Sequence, residues 1–240
     1  MASYHVLVTV LLVAGPFIHC ESLFGIDVSH YQGTIDWSKV AASNVTFAMA
    51  KATEGLSYVD PMFATNYQAM KANGLYRSAY HFAHPSEDAA SQAQHFVDTV
   101  NSAGGFQDSS TFQLVLDLED DDGLSSSQVW SWVQTWVSKM KVLTGKPPVI
   151  YTGCYFWNDS VGGSSNLDCP LWVASYTSPD PSCIPSAWSS VGWAFWQYDD
   201  NGARYPGGPA ESIPGIEGNV DVNYFRNCCA YPDISYLCYA

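Results

Sequence analysis

From Leu23 to Phe225 short apolar runs alternate with stretches of helical spacing. The runs Phe24–Val28, Thr46–Lys51, Ser78–Phe82, Gln113–Leu118, Pro148–Thr152, Leu171–Ser175 and Ala194–Tyr198 are rich in β-branched and aromatic residues. They are too continuous to leave one face wet, so they read as strands of a sheet that is covered on both sides or closed on itself. Helices are predicted over Met62–Asn73, with Gly74 as the residue past its end, over Glu87–Ser102, and over Ser125–Leu143. The last carries Val129, Trp132, Val133, Trp136, Val137 and Met140 on one stripe, and Ser125-x-x-Gln128 offers a capping box. Its tryptophans read as core rather than as a ligand platform.

Strand–helix alternation of this kind gives βα units and a mostly parallel sheet. The last third changes character: strand-like segments follow one another through Gly- and Pro-rich loops such as Tyr205–Gly218, with no convincing helix. The expected fold is an α/β barrel, one domain, that begins as βα repeats and finishes with strands alone.

The ends of the chain stand apart. Val6–Ile18 is about as long as a signal-peptide core and too short to span a bilayer, although no Lys or Arg precedes it. Residues 1–20 are therefore expected to be a leader, 21–225 the barrel of a secreted chain, and 226–240 a Cys-rich extension. Of seven cysteines, six remain after Cys20: Cys154, Cys169, Cys183, Cys228, Cys229 and Cys238. An even count in an exported chain favours disulfides, with Cys154–Cys169 the expected local clip. Asn44-Val-Thr46 and Asn158-Asp-Ser160 are glycosylation sequons.

Charge narrows the partners. Nine Lys and Arg stand against 23 Asp and Glu, a net −14, so nucleic acid is an unlikely partner and docking of a basic patch on an anionic membrane is excluded. The acids recur where a parallel barrel places its chemistry, at the C-terminal ends of strands. Asp27 follows Phe24–Ile26, Glu54 follows the Ala48–Lys51 run, Tyr80 lies in Ser78–Phe82, and Asp117 and Glu119 close Leu114–Leu116. Tyr176 follows Leu171–Ser175, Gln197 and Tyr198 end the next run, and Asp221 lies in Gly218–Val222.

Asp117 and Glu119 form the sharpest pair. Residues i and i+2 of a strand share a face, about 6.6 Å apart. Two carboxyls that close compete for ionisation, which supplies the protonated acid beside an ionised one that glycosidic cleavage uses. A solvated acidic turn is the plainer reading, since Asp120, Asp121 and Asp122 follow directly. No GxSxG, GxGxxG or Walker A pattern occurs, and the acidic run before Gly123 fails the EF-hand spacing. His81 and His84 read as hydrogen-bonded histidines rather than a metal pair.

The motifs Asp27-Val28-Ser29-His30-Tyr31-Gln32-Gly33, Lys51-Ala52-Thr53-Glu54-Gly55, Tyr80-His81-Phe82, Leu116-Asp117-Leu118-Glu119, Leu171-Trp172-Val173-Ala174-Ser175-Tyr176, Phe195-Trp196-Gln197-Tyr198 and Val220-Asp221-Val222-Asn223-Tyr224-Phe225 resemble, in order, the glycoside hydrolase family 25 lysozymes of the Chalaropsis type. The resemblance implies a flattened, irregular βα barrel of five βα units followed by three further strands. It implies an N-acetylmuramidase acting on peptidoglycan glycan strands as a monomer, with no metal or organic cofactor. Glu119 is then the implied general acid/base and Asp117 its partner, either orienting the substrate's 2-acetamido group or stabilising charge. Asp27 and Asp221 are the remaining cleft carboxylates. Tyr80, Trp196 and Tyr198 are implied sugar contacts, with Glu54 and Tyr176 placed beside them. A chitinase-like barrel fits less well, because the strand lacks the earlier acids of a DxxDxDxE run. A silent sugar-binding module would lack an acid at Glu119.

Overall fold

The computed structural model describes residues 21–163, 165–227 and 231–239. The expected leader, with Cys20, and the pair Cys228 and Cys229 lie outside the described residues.

Nine strands form one sheet: β1 Glu21–Val28, β2 Phe47–Glu54, β3 Tyr58–Val59, β4 Tyr76–Phe82, β5 Val115–Asp117, β6 Val149–Gly153, β7 Leu171–Ala174, β8 Phe195–Asp199 and β9 Asp221–Asn227. β1 pairs with β2 on one side and β9 on the other, so eight strands close into a barrel and β3 hangs on β2 as a hairpin. The helices α1 Trp37–Ala42, α2 Phe63–Ala72, α3 Ala89–Ser102 and α4 Ser126–Thr144 alternate with the early strands, and a short helical turn follows β6. β7, β8 and β9 then follow without an α-helix between them. The expected α/β barrel, with its change of character in the last third, is the observed fold.

The three predicted helices form, the last with the Ser125–Gln128 capping box. Asp88 caps α3 by accepting from Ser91 N at 2.8 Å. Gln128 Oε1 accepts from Ser125 N at 3.1 Å at the start of α4, and Gly145 ends it in the left-handed region at φ 78°. α1 went unpredicted because its six residues carry too little periodicity.

Strand parity sorts the core into two parts. One set of side chains, including Ile26, Ala48, Ala50, Ala79, Leu116, Ile150 and Val173, faces outward against the helices; Phe96, Val133, Trp136 and Val137 meet it there. The alternate set, including Phe47, Met49, Val115, Val149, Trp172, Phe195 and Phe225, fills the barrel interior. The tail closes the lower end. Ile234, Leu237 and Cys238 join the interior cluster, Phe112 bridges to Cys238, and Tyr239 N donates to Thr111 O. Phe112 precedes β5, so this plug lies at the opposite end from Asp117, and the upper rim is left open.

Two expectations are corrected. Cys154 pairs with Cys183, not with Cys169, and this disulfide ties the turn after β6 to the β7–β8 connection. Cys169 is buried without a disulfide, its Sγ facing Leu167 O and its backbone carbonyl accepting from Trp188 Nε1. Cys238 is likewise buried and unpaired. β9 runs antiparallel to both neighbours, so Asp221 opens its strand instead of closing it. The reversal brings Asp221 to the same rim as the C-terminal ends of the parallel strands. No helix among the described residues is long and apolar enough to cross a membrane.

Candidate active site

The open rim holds a cavity of about 270 Å³ lined by Asp27, Val28, Ser29, Tyr31, Gln32, Lys51, Tyr80, Phe82, Asp117, Glu119 and Asp221. Four carboxylates from three distant parts of the chain therefore face one space. Their convergence follows from register: Asp27 is the direct partner of Asp221 across β1–β9, and Asp117 closes β5 two residues before Glu119.

Burial distinguishes the four. Asp27 and Asp117 are buried, Asp221 is half-buried and Glu119 is exposed at the mouth. Burial pushes Asp27 up to about 6, against the lowering effect of Asn223 and Gln197. Asp117 is held well above the ordinary carboxylate range by burial and then by the charge of Glu119. Partial enclosure and the charge of Asp27 raise Glu119. Asp221 is pushed up to about 8 by burial and by Asp27. Asp117 lines the cavity, and its Oδ1 is shut away from solvent without a hydrogen-bond partner.

Behind the acids stands a set of amides and rings. Asn223 Nδ2 and Gln197 Nε2 both donate to Asp27 Oδ2, at 2.8 and 3.0 Å. Trp172 Nε1 donates to Asn223 Oδ1, and the Tyr151 and Tyr176 hydroxyls donate to Gln197 Oε1. Lys51 brings positive charge to the cavity and is held by Glu54 at 2.6 Å.

The expected substrate contacts divide. Tyr80 lines the cavity. Tyr176 stands at the rim, more than half exposed, and reaches Asp27 through Gln197. Glu54 does not line the cavity; it grips Lys51 and His84, and those bonds outweigh the burial that would raise it. Trp196 and Tyr198 are not brought to the acids. They lie on the outer face of β8, buried, with Trp196 Nε1 on Ser175 O and Tyr198 OH on Ala203 O. Parity decides this: Phe195 and Gln197 of the same strand take the interior. Trp196 instead borders a separate outer groove of about 530 Å³ with Pro179, Trp193 and Tyr224, where the cleft acids are absent. His81 is likewise outward and buried between Thr53 and Gln92.

Sequence reasoning left Lys51, Tyr31, Phe82 and Asn223 out of the site. The missing signal was parity: Asn223 shares the face of Asp221, and Phe82 that of Tyr80.

Comparison with known proteins identifies the family of the chain. The family model described as glycosyl hydrolases family 25 matches residues 26–206. Lysozyme M1 of Streptomyces globisporus is 36% identical over 215 residues, covering 86% of this chain and 68% of that protein. The N,O-diacetylmuramidase of Chalaropsis sp is 32% identical over 82% of this chain and 95% of its own. The crystal structure of a bacterial lysozyme from Streptomyces coelicolor superposes with a TM-score of 0.78 at 35% identity, covering 91% of this chain and 97% of the other.

Proposed function

The chain belongs to glycosyl hydrolases family 25, and we propose that it is a secreted muramidase cleaving the β-1,4 bond between N-acetylmuramic acid and N-acetylglucosamine in bacterial peptidoglycan with retention of configuration. One observation carries the reading: Asp27, Asp117, Glu119 and Asp221 share a single cavity at the open rim of the barrel.

The four acids take different parts because their surroundings differ. Glu119 is the exposed member and its carboxyl is raised, so it keeps a proton into the mildly acidic range where a sugar can reach it. It donates that proton to the leaving glycosidic oxygen as the bond to the anomeric carbon breaks. Asp117 is too enclosed to meet the leaving group. Its carboxyl lines the cavity, where the N–H of a 2-acetamido group would favour the ionised form. An oriented acetamide can then cover the electron-poor carbon with its own oxygen. Glu119, now ionised, takes a proton from the water that completes hydrolysis on the same face. Tyr80, Tyr31 and Phe82 offer ring faces to the apolar side of the pyranose.

The protein gains no electrostatic steering toward an anionic wall, since both carry negative charge. An acidic working range follows, because protonation lowers that charge and keeps Glu119 a donor. The test is a proton NMR time course on a soluble peptidoglycan fragment. Retention predicts that the β anomer of the new reducing end appears first and then mutarotates; initial release of the α anomer would overturn it.

A further inference from the structure

Asp27 and Asp221 are direct register partners across β1–β9, and both line the same cavity. Two carboxyls brought that close in a partly enclosed space do not both ionise readily, so one of them keeps a proton to higher pH. Where the proton resides is decided behind Asp27.

Asp27 Oδ2 already accepts from two amides, Asn223 and Gln197. The orientation of Asn223 is not arbitrary. The Trp172 indole can only donate, and it lies 2.8 Å from one end of the amide, so that end is the carbonyl and the NH₂ must face Asp27. Gln197 directs its carbonyl to the Tyr151 and Tyr176 hydroxyls, at 2.8 and 3.1 Å, and its NH₂ to Asp27. Two N–H donors on one carboxyl oxygen favour the ionised form of Asp27 over the neutral one. Asp221 has no such amide pair among its hydrogen bonds.

We propose that the Asp27–Asp221 pair holds a single proton carried by Asp221, and that Trp172–Asn223 and the Tyr151/Tyr176–Gln197 group are positioning residues that impose this division. Asp27 is then the anion of the pair and Asp221 a neutral donor. Asp117, Glu119 and Asp200 face the pair with like charge and Lys51 opposes them, so removing one negative charge from this crowd relieves repulsion. The raised phenols of Tyr80, Tyr151 and Tyr176 stay neutral beside them, held up first by burial. In the muramidase reading, Asp27 is then an anion lining the cavity in which positive charge develops. The proton assignment itself does not rest on that reading.

The experiment is a carbon-13 titration of the whole protein, labelled at the aspartate carboxyl, between pH 4 and 9 without substrate. One resonance, lost in Asp221→Asn, is expected to keep its proton through neutral pH. The Asp27 resonance is expected to be carboxylate at pH 7. In Asp221→Asn a permanent amide donor replaces the acid, and the Asp27 midpoint moves below about 6. Asn223→Leu raises that midpoint by at least one pH unit, a tenfold change in proton affinity. Trp172→Phe moves it the same way, and the double variant goes no further than Asn223→Leu, because both act along one path. Tyr176→Phe, at the exposed rim, gives a smaller rise in a chain whose core is untouched. A purely structural role would lower Tm and leave the midpoints alone. The proposal is overturned if the resonance lost in Asp221→Asn titrates below pH 5, or if Asp27 is indifferent to Asn223 and Tyr176.

Discussion

Lys51 reaches Glu54 across 2.6 Å on β2, and the pair holds a cation against the acids of the cleft. Lys51 acts to lower both Asp117 and Glu119. Its removal in Lys51→Met leaves those carboxyls holding protons to higher pH. The alkaline limb of kcat/KM against pH should therefore move upward, by about one pH unit, the scale expected of one opposite charge within a few ångströms. An unmoved limb would mean that the ammonium does not act on the reacting acid.

Glu119→Gln keeps the shape of the mouth and removes the proton donor. Hydrolysis of purified peptidoglycan should fall by about 10²–10⁴-fold, the usual contribution of a positioned acid or base. Sedimentation of the variant with insoluble peptidoglycan should remain as in the wild type. Turnover within a factor of two of wild type would remove Glu119 from the mechanism, and loss of binding would recast it as a contact.

Trp196 and Tyr198 illustrate what sequence could and could not disclose. The motif containing them marks the cleft, but the residues facing it are their neighbours Phe195 and Gln197. Trp196→Ala should cost about 3–5 kcal/mol by opening a cavity among Trp193, Tyr198 and Tyr224. The folded fraction should hydrolyse peptidoglycan with an ordinary KM. A large rise in KM at unchanged Tm would return Trp196 to the substrate.

The raised carboxyls lower stability as pH rises from about 4 to 8. Asp27 and Asp221 have folded-state values near 6 and 8 against an ordinary 3.8, and Asp117 and Glu119 are raised as well. Between the ordinary value and its own folded value each raised group binds more protons folded than unfolded, so Asp27 contributes to the fall up to about pH 6 and Asp221 up to about pH 8. Two groups set the acid side. His81, pushed down to about 4 by burial, must charge in the unfolding chain, and Asp108 is held low by Lys71, Ser110 and Thr111 despite burial. A series of Tm values from pH 3 to 9 should peak in mild acid, and Asp221→Asn should flatten the alkaline fall. A Tm that climbs to pH 8 would contradict the raised carboxyls.

The barrel was largely legible because its signals are local. Strands buried on both faces, the stripe on α4 and the Asp88 and Ser125 starts all act within a few residues. The acid pair Asp117 and Glu119 was legible for the same reason, since both belong to one strand end. The direction of β9 was not, because antiparallel pairing is settled by chain return, and Asp221 came to the rim by opening its strand. The Cys154–Cys183 bridge was hidden too: the shorter spacing to Cys169 favoured the wrong partner, and burial of Cys169 under Trp188 is a tertiary fact. Trp172 and Tyr151 act on Asp27 only through Asn223 and Gln197, a connection across strands that no spacing along the chain displays.

The account stands most directly on which bond is cut. Peptidoglycan digested to completion, reduced with borohydride and analysed by mass spectrometry should yield muropeptides whose reduced end is muramic acid. Fragments ending in reduced glucosamine would contradict it, and would place the scissile bond on the other side of the sugar held against Asp117.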